Sequence, residues 1–178
     1  GIILVSPTCG ESDEEVDLAS PITLLETRPY IFRARLEKEG IDVKLAPTRF
    51  GAVYEFAFPE DRKGRVVVNA RRKIARKDGG VDVAVHREGN AVFGGGTYNY
   101  NWCPGPYNCF FYAEEERMGD RIVFRIATSF KSLEKAKANF AEVRGKSVAD
   151  VAAAAKAMWE DALGRVRGHA RTRGGCRS

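Results

Sequence analysis

The sequence has few of the residues and motifs that most catalytic sites use. Its two histidines, His86 and His169, have no Gly-x-Ser-x-Gly nucleophile motif near them, so a nucleophile triad is not supported. The glycines of residues 94–97 lack the Gly-Lys-Ser/Thr ending of a phosphate-binding loop and are typical of a bend or β-bulge. The acidic runs ESDEE (residues 11–15) and AEEE (residues 113–116) are contiguous, so their side chains point in different directions. We therefore expect no catalytic pair of carboxylates in this chain.

Cysteines are also few and do not have the spacing of metal ligands. The four are Cys9, Cys103, Cys109 and Cys176, and five residues separate Cys103 from Cys109, which is neither a Cys-x-x-Cys motif nor half of a zinc ribbon. We therefore expect no metal site in the chain. A disulfide between Cys103 and Cys109 is one alternative in an oxidising compartment, and two buried free thiols are the other.

Long apolar runs are absent. No segment approaches the roughly 20 apolar residues of a membrane-spanning helix, and no charged segment followed by an apolar one resembles a signal peptide. A composition with 44% hydrophobic and 30% charged residues is typical of a globular protein, and 178 residues are enough for one sizeable core. We expect no membrane partner.

The C-terminal segment contains no acidic residue. Residues 165–178 carry five arginines, and the rest of the chain is balanced, with 24 Lys and Arg against 24 Asp and Glu. This tail and the cluster RRKIARK (residues 71–77) are the only basis for a nucleic-acid function. Because Gly and Arg dominate the tail and nothing apolar repeats in it, we predict a disordered basic tail and no nucleic-acid partner.

Alternation of apolar and polar residues is the strongest pattern present. In YIFRARL (residues 30–36) every second residue is apolar, and the alternation returns in IDVKL (residues 41–45) after the turn KEG. This pattern predicts a hairpin with one buried and one solvent-facing side. Similar segments, separated by Gly, Pro, Asp and Asn, bring the total to eight or more strands without intervening helices. We therefore predict a mainly β fold, an antiparallel β-sandwich, over residues 1–130.

Helical patterns follow the sandwich. Residues 132–145 contain good helix formers with an apolar stripe on one side. Ser147 and Asp150 form a capping box for a second, longer helix over residues 148–166. The apolar stripe of this second helix includes Trp159 and is wide for a helix with only a small domain behind it. We therefore expect the sandwich to cover the stripe only in part.

An aromatic loop is the best candidate for a binding site. Aromatic side chains recur on a Gly-, Asn- and Pro-rich loop at Tyr98, Tyr100, Trp102 and Tyr107, the last two within WCPGPYNCFFY (residues 102–112). Exposed aromatic faces stack on sugar rings, so Tyr100, Trp102 and Tyr107 are candidate carbohydrate-binding residues. The alternative is that Trp102 and Tyr107 cap the sandwich core with their polar tips hydrogen-bonded.

Three segments, taken together, resemble one enzyme family. The C-terminal segment resembles a Ser-x-Glu-x-Ala-x-x-Asn stretch followed by a long helix with Trp and Leu-x-x-Ile/Val near its end. In this sequence these positions are Ser132, Glu134, Ala136, Asn139, Trp159, Leu163 and Val166. The hairpin after Pro29 and the strand in GIILVSPTCGE (residues 1–11) resemble two further family segments, although the Gly before Tyr30 and the Asp expected at Ile2 are absent. The family is glycoside hydrolase family 92, the calcium-dependent exo-α-mannosidases.

The resemblance implies an internal piece of a two-domain enzyme. Residues 1–130 would be an incomplete N-terminal β-sandwich, residues 131–167 linker helices, and residues 168–178 the disordered tail. In the family, the general acid, the general base and the calcium ligands lie in a helical-barrel catalytic domain. That domain of the same parent chain and mannose-containing glycans are therefore the expected partners. The family is usually exported, which implies a secreted or periplasmic parent.

Two functional hypotheses from different classes follow. The first is a fragment of an inverting α-mannosidase that acts on terminal α-mannose of glycans and is inactive by itself. It places no catalytic or metal-binding residue in this chain, and calcium only in the parent enzyme. Within it, WCPGPYNCFFY corresponds to a loop that leads into a sandwich strand. The second hypothesis is a stand-alone carbohydrate-binding β-sandwich module.

Overall fold

The computed structural model describes residues 2–72, 79–99 and 104–164. Its strands, in chain order, are β1 (Leu4–Thr8), β2 (Ile22–Arg28), β3 (Ile31–Leu36), β4 (Ile41–Pro47), β5 (Gly51–Ala57), β6 (Arg65–Asn69), β7 (Gly79–Gly80), β8 (Ala84–Glu88), β9 (Ala91–Asn99), β10 (Tyr107–Met118) and β11 (Arg121–Ser129). Its helices are α1 (Glu15–Leu18), α2 (Leu133–Asn139), a 3₁₀ turn (Phe140–Glu142) and α3 (Val148–Gly164).

The strands form a nine-stranded antiparallel sheet and a separate two-stranded pair. The large sheet has the order β2-β3-β4-β5-β11-β10-β9, and both β7 and β8 pair with β9 at its far end. The two-stranded pair consists of β1 and β6, which lie far apart in the sequence. This arrangement, with α2 and α3 at the C-terminal end, confirms the prediction of a mainly β, sandwich-like fold followed by two helices.

Two hydrophobic cores lie on the two faces of the large sheet. On one face, Phe56, Phe111 and Phe124 pack with side chains of the β1–β6 pair. On the other face, Val53 and Val123 pack against the helical segment, and Phe140 fills the space between the helices and the sheet. Because successive strand residues point to opposite faces, β11 contributes alternately to both cores.

A buried arginine ties the helices to the sheet. Arg125 on β11 is 8% exposed, and its Nε donates to the carbonyl oxygen of Lys146 at 2.8 Å. Its Nη1 lies 2.8 Å from a carboxylate oxygen of Glu116 on β10. A buried charge is costly unless it is paired and hydrogen-bonded, so these two contacts fix the connection between α2 and α3 against the sheet.

Helix α3 begins at the predicted capping box. The backbone N–H of Asp150 donates to Ser147 Oγ at 3.2 Å, and the backbone N–H of Ser147 donates to Asp150 Oδ2 at 3.0 Å. The first two turns of the helix are packed on the sheet through Val148 and Val151. No helix among the described residues is long and apolar enough to cross a membrane.

The second half of α3 leaves its apolar residues exposed. Met158 is 70% exposed, Trp159 44% and Leu163 60%. The expectation that the sandwich covers this stripe only in part is therefore confirmed for the described residues. The helical end at Val166 and the basic tail predicted over residues 168–178 lie outside them.

Strand β2 is an edge strand that the alternation pattern missed. Its apolar residues Ile22, Leu24 and Leu25 are all exposed, and its register with β3 shifts between Leu24 and Glu26. A β-bulge adds a residue to one strand and so breaks the period of two. The segment ITLLETR therefore lacks the alternation by which the other strands can be identified.

The glycine triplet of β9 lies where three chain segments come close together. A Cβ on Gly95 would lie 2.2 Å from the carbonyl oxygen of Cys109, and Gly95 has a φ of +134°. On either side, a Cβ on Gly94 would lie 2.1 Å from the oxygen of Ala84, and one on Gly96 would lie 2.0 Å from the oxygen of Asp82. The glycines thus allow β9 to pair closely on both sides. The prediction of a bend or β-bulge at residues 94–97 is wrong, because β9 runs through them with no shift in its register to β8 or β10.

Replacing Gly95 with Ala should destabilise the chain by about 1–3 kcal/mol or more, because the new Cβ meets a backbone oxygen and the φ disfavours L-residues. Urea denaturation followed by circular dichroism measures the change. The control is Gly164→Ala, since a Cβ there has no neighbour within 4 Å and no positive φ to oppose it. Equal stability of the two variants would contradict the close packing around β9.

Replacing Trp159 with Lys should reduce self-association of the chain, because it interrupts the exposed apolar stripe of α3. The free energy of unfolding should change by no more than about 0.5 kcal/mol, as for other surface substitutions. Sedimentation velocity and urea denaturation measure both quantities.

The contrasting variant is Phe140→Ala, which removes a fully buried ring and should cost about 3–5 kcal/mol. If Trp159→Lys unfolded the chain as Phe140→Ala does, the exposed stripe would have to be covered in solution.

Candidate functional site

Tyr107 is the candidate sugar-binding residue that falls within the described residues. It is half-buried at the start of β10, and its ring stacks on that of Tyr98 with centroids 6.0 Å apart and planes at 24°. Tyr98 is buried and donates its hydroxyl to the carbonyl oxygen of Ala70 at 2.8 Å. Tyr107 thus caps the core on one side, as the structural alternative for this residue predicts.

The other side of Tyr107 faces a residue that the sequence did not single out. Its ring meets Phe130 edge to face, with centroids 6.1 Å apart. Phe130, directly after β11, is 72% exposed. Together with residues 104–106 these two rings line an open apolar hollow. Tyr100 and Trp102 lie outside the described residues, so their role as candidate sugar contacts stays a prediction.

An open groove of about 950 Å³ adjoins this hollow at the same end of the sandwich. We call it the Phe130 groove. Its lining residues are Ile3, Val5, Thr48, Arg49, Phe50, Gly51, Ala52, Tyr54, Ile126, Thr128, Ser129, Phe130, Lys131, Lys135 and Asn139. They come from β1 and the residue before it, the β4–β5 turn, β5, the end of β11 with the residues after it, and helix α2.

Hydrogen bonds hold the β4–β5 turn in place beside the end of β11. The backbone N–H of Thr128 donates to the carbonyl oxygen of Phe50 at 2.8 Å. The backbone N–H of Thr48 donates to the carbonyl oxygen of Gly51 at 2.8 Å. The buried amide of Asn139 donates to the carbonyl oxygen of Thr128 at 2.9 Å, which attaches α2 to the same point. The groove is therefore built on fixed backbone rather than on a free loop.

The hydroxyl of Thr48 is the one buried side-chain oxygen or nitrogen without a hydrogen-bond partner in the described part of the chain. It lies on the wall of the Phe130 groove. Buried polar groups almost always have a partner, so this unpaired hydroxyl is an exception, but its oxygen is itself buried and is not displayed in the groove. The pattern of the sequence around Thr48 contains no signal for this.

Acidic residues elsewhere in the chain serve as ion-pair partners. Asp13 pairs with Arg65, and Glu15 with Arg72, across the gap between the N-terminal segment and β6. Glu116 pairs with the buried Arg125. Four of the seven acids in the runs ESDEE and AEEE, namely Asp13, Glu15, Glu115 and Glu116, thus pair with arginines.

A second aromatic cluster lies on the helix-bearing face of the sheet. His86 stacks on Phe93 and Phe93 on Tyr112, with centroids 5.7 and 6.2 Å apart. The ammonium group of Lys137 lies 4.9 Å from the centre of the Phe93 ring. This contact covers the ring face and fastens α2 to the sheet, so we interpret the cluster as structural.

Metal ligands do not converge in the described residues. Among residues 2–72, 79–99 and 104–164, no three His, Cys, Asp or Glu side chains lie where they could share one ion. The described residues therefore offer no cluster of carboxylates for calcium, and calcium in the parent enzyme stays a prediction.

The described cysteines are free thiols. Cys109 is buried in the first core, where loss of solvation raises the pKa of its thiol to about 11. Cys9 is half-buried, and burial is the main cause that raises its thiol pKa. For Cys109 this agrees with the buried-thiol alternative. Cys103 and Cys176 lie outside the described residues.

Solved structures of three larger enzymes share this fold. An inverting mannosidase of family GH92 from Bacteroides thetaiotaomicron superimposes with a TM-score of 0.79 at 22% identity, over 94% of this chain and 27% of its own. An α-mannosidase of the same family and organism gives 0.77 at 13% identity, over 92% of this chain and 28% of its own.

A further glycosyl hydrolase of that family gives 0.77 at 17% identity, over 96% of this chain and 29% of its own. This chain therefore spans less than a third of the length of these structures. No curated protein matches it.

The family assignment itself comes from the sequence. Residues 1–158 match the glycosyl hydrolase family 92 N-terminal domain. The match covers β1 through most of α3, including every residue of the Phe130 groove. The chain belongs to glycosyl hydrolase family 92, of which it carries the N-terminal domain.

Proposed function

We propose that this chain is the sugar-facing β-sandwich of an inverting α-mannosidase that removes terminal α-mannose from glycans. The observation that carries the proposal is the family match over residues 1–158 together with an aromatic-lined groove at one end of the sandwich. The structural neighbours described as mannosidases support the substrate class.

The chemistry of the proposed reaction needs two carboxyl groups on opposite sides of the scissile bond. One protonates the leaving oxygen, and the other activates a water molecule on the opposite face of the sugar ring. In the described acidic runs, Asp13, Glu15 and Glu116 are held in ion pairs with arginines, and Glu114 accepts the hydroxyl of Tyr112. We assign both groups, and the calcium ion, to a helical-barrel domain of the parent enzyme.

The exposed stripe of α3 also supports a separate catalytic domain in the parent enzyme. Trp159 and its apolar neighbours lie beyond the last contacts between α3 and the sheet. Burying a tryptophan removes about 150–250 Å² from water, which favours association by about 25 cal/mol per Å². We infer that this stripe packs against the helical domain of the parent chain and so places the sandwich beside the catalytic carboxyl groups.

A second candidate is a stand-alone carbohydrate-binding module. The hollow between Tyr107 and the largely exposed Phe130 favours it, because an aromatic face at the surface can stack on a sugar without a catalytic partner. The two functions differ in whether the sandwich acts together with a catalytic domain of the same parent chain or without one.

The purified chain should show no turnover of α-mannosides in the presence of calcium, because the proposal places both catalytic carboxyl groups outside it. Release of mannose from an aryl α-mannoside and from a mannose oligosaccharide measures this. The control is the parent enzyme under the same conditions. Turnover by the chain alone would show that its own residues perform the reaction.

Replacing Phe130 with Ala should weaken mannose oligosaccharide binding by the chain about tenfold, since losing an aromatic contact costs about 1–2 kcal/mol. Trp102→Ala should weaken it as well, as the aromatic-loop hypothesis predicts. Trp159→Ala is the matched control, because it also removes an exposed aromatic ring, but far along α3. Isothermal titration calorimetry gives the affinities. If Phe130→Ala left the affinity unchanged, the sandwich end would not be the sugar contact.

A further inference from the structure

Strand β2 has a free edge that carries apolar side chains. Among the described residues, β2 pairs with β3 alone and so forms one end of the large sheet. Ile22, Leu24 and Leu25 are each more than half exposed, and residues 20–25 contain no charged side chain. Charged side chains are a common means by which an edge strand avoids pairing with another strand. The first half of β2 lacks this protection.

The hydrogen-bonding pattern leaves the backbone groups of Ile22 and Leu24 at this edge. The backbone N–H of Glu37, directly after β3, donates to the carbonyl oxygen of Pro21 at 2.9 Å, and the same register continues to Leu24. In an antiparallel pair, only every second residue bonds to the neighbouring strand. Pro21 and Thr23 therefore bond to β3, whereas the N–H and C=O groups of Ile22 and Leu24 point to the free edge. The N–H that Pro21 lacks is not needed there.

The side chains of the same two residues extend an apolar face of the sheet. Ile22 lies opposite Leu36, and Leu24 lies opposite Ala34. Because residues directly opposite each other share a face, these four side chains lie on one side of the sheet. Leu36 packs against the first core, which also holds the side chains of the β1–β6 pair. Ile22 and Leu24 are therefore the uncovered rim of a face that continues into this core.

We propose that β2 pairs with β2 of a second copy of this chain, antiparallel and about a two-fold axis between the two Thr23 residues. In this register, Ile22 of one copy lies opposite Leu24 of the other, so the free backbone groups of both edges bond to each other. The four apolar side chains meet on one face, and the two Thr23 side chains meet on the other. Since residues 20–25 are uncharged, no like charges oppose the pairing.

The geometry of this contact limits the size and strength of the assembly. A two-fold contact uses the same surface on both copies and is closed, so the product is a dimer and not a fibre. The contact consists of two short strands and is smaller than a standard interface of about 1,600 Å². We therefore expect a dissociation constant weaker than about 1 µM. The inference does not depend on the proposed function.

Sedimentation equilibrium of the full chain at concentrations above about 1 µM tests the pairing. Every chain carries Trp159→Lys, so that the exposed stripe of α3 does not contribute to association. Leu24→Lys should weaken dimerisation at least about tenfold, because it removes apolar contacts and brings two like charges together. The control is Val81→Lys, which changes an exposed apolar residue beside β9, at the opposite end of the sheet, and should leave the affinity unchanged. Circular dichroism confirms that both variants are folded.

A cysteine at the proposed axis tests the register. Thr23→Cys should form a disulfide-linked dimer under mild oxidation, because opposite residues of a non-hydrogen-bonded pair have Cα atoms about 4.5 Å apart, within the range of a disulfide. Thr27→Cys is the matched control, since Thr27 is also exposed on β2 but lies four positions from the axis. The unsubstituted chain, with its four native cysteines, gives the background rate. Non-reducing electrophoresis measures the linked dimer.

The outcomes separate this contact from others. A weaker dimer with Leu24→Lys, together with faster linkage at residue 23 than at residue 27, supports the inference. A chain that stays monomeric once Trp159 is replaced, or equal affinity of the Leu24→Lys and Val81→Lys variants, would overturn it. If Leu24→Lys does not fold, the cysteine variants decide, and linkage at residue 23 no faster than at residue 27 would show that β2 does not pair with itself.

Discussion

Burial of both faces of strand β11 is the constraint on which the rest of the structure depends. Six successive residues from Ile122 to Ala127 are buried, so the strand needs a covering layer on each side. The β1–β6 pair supplies one layer and the helical segment supplies the other. Arg125 lies inside the second layer, and its pairing with Glu116 and with the carbonyl of Lys146 sets where the helices sit. Few arrangements of this chain can satisfy both layers and the buried charge together.

The same constraint shapes the end of the sandwich that carries the Phe130 groove. Because β11 is fixed along its length, the residues directly after it lie beside the turn between β4 and β5. The hydrogen bonds between Thr128 and Phe50 join these two segments, and Asn139 brings α2 to the same point. The groove therefore forms where β11 ends beside the β4–β5 turn. The exposed ring of Phe130 is not part of either core.

The sequence predicts the parts of the fold that depend on local patterns. Alternation identifies the β3–β4 hairpin, and the capping residues Ser147 and Asp150 identify the start of α3, because each feature depends on residues within a few positions. The bulged strand β2 breaks the local period and so escapes detection. Sequence patterns do not predict the groove for a different reason. Thr48, Phe130 and Lys135 come together only through the pairing of strands that lie far apart in the sequence. Of the candidate sugar contacts chosen from the aromatic loop, Tyr107 lies beside Phe130, whereas Tyr100 and Trp102 lie outside the described residues. Local patterns do not identify Phe130.

The central claim is that the sandwich end bearing the Phe130 groove is the surface that meets the glycan. Hydrogen–deuterium exchange with and without a saturating mannose oligosaccharide tests it most directly, because it reports where backbone amides become protected. The account predicts slower exchange at residues 48–52 and 128–135. It predicts no change at residues 84–93, where ring faces are covered by Lys137, or along the exposed half of α3. Protection at residues 84–93 with an unchanged groove would contradict the account.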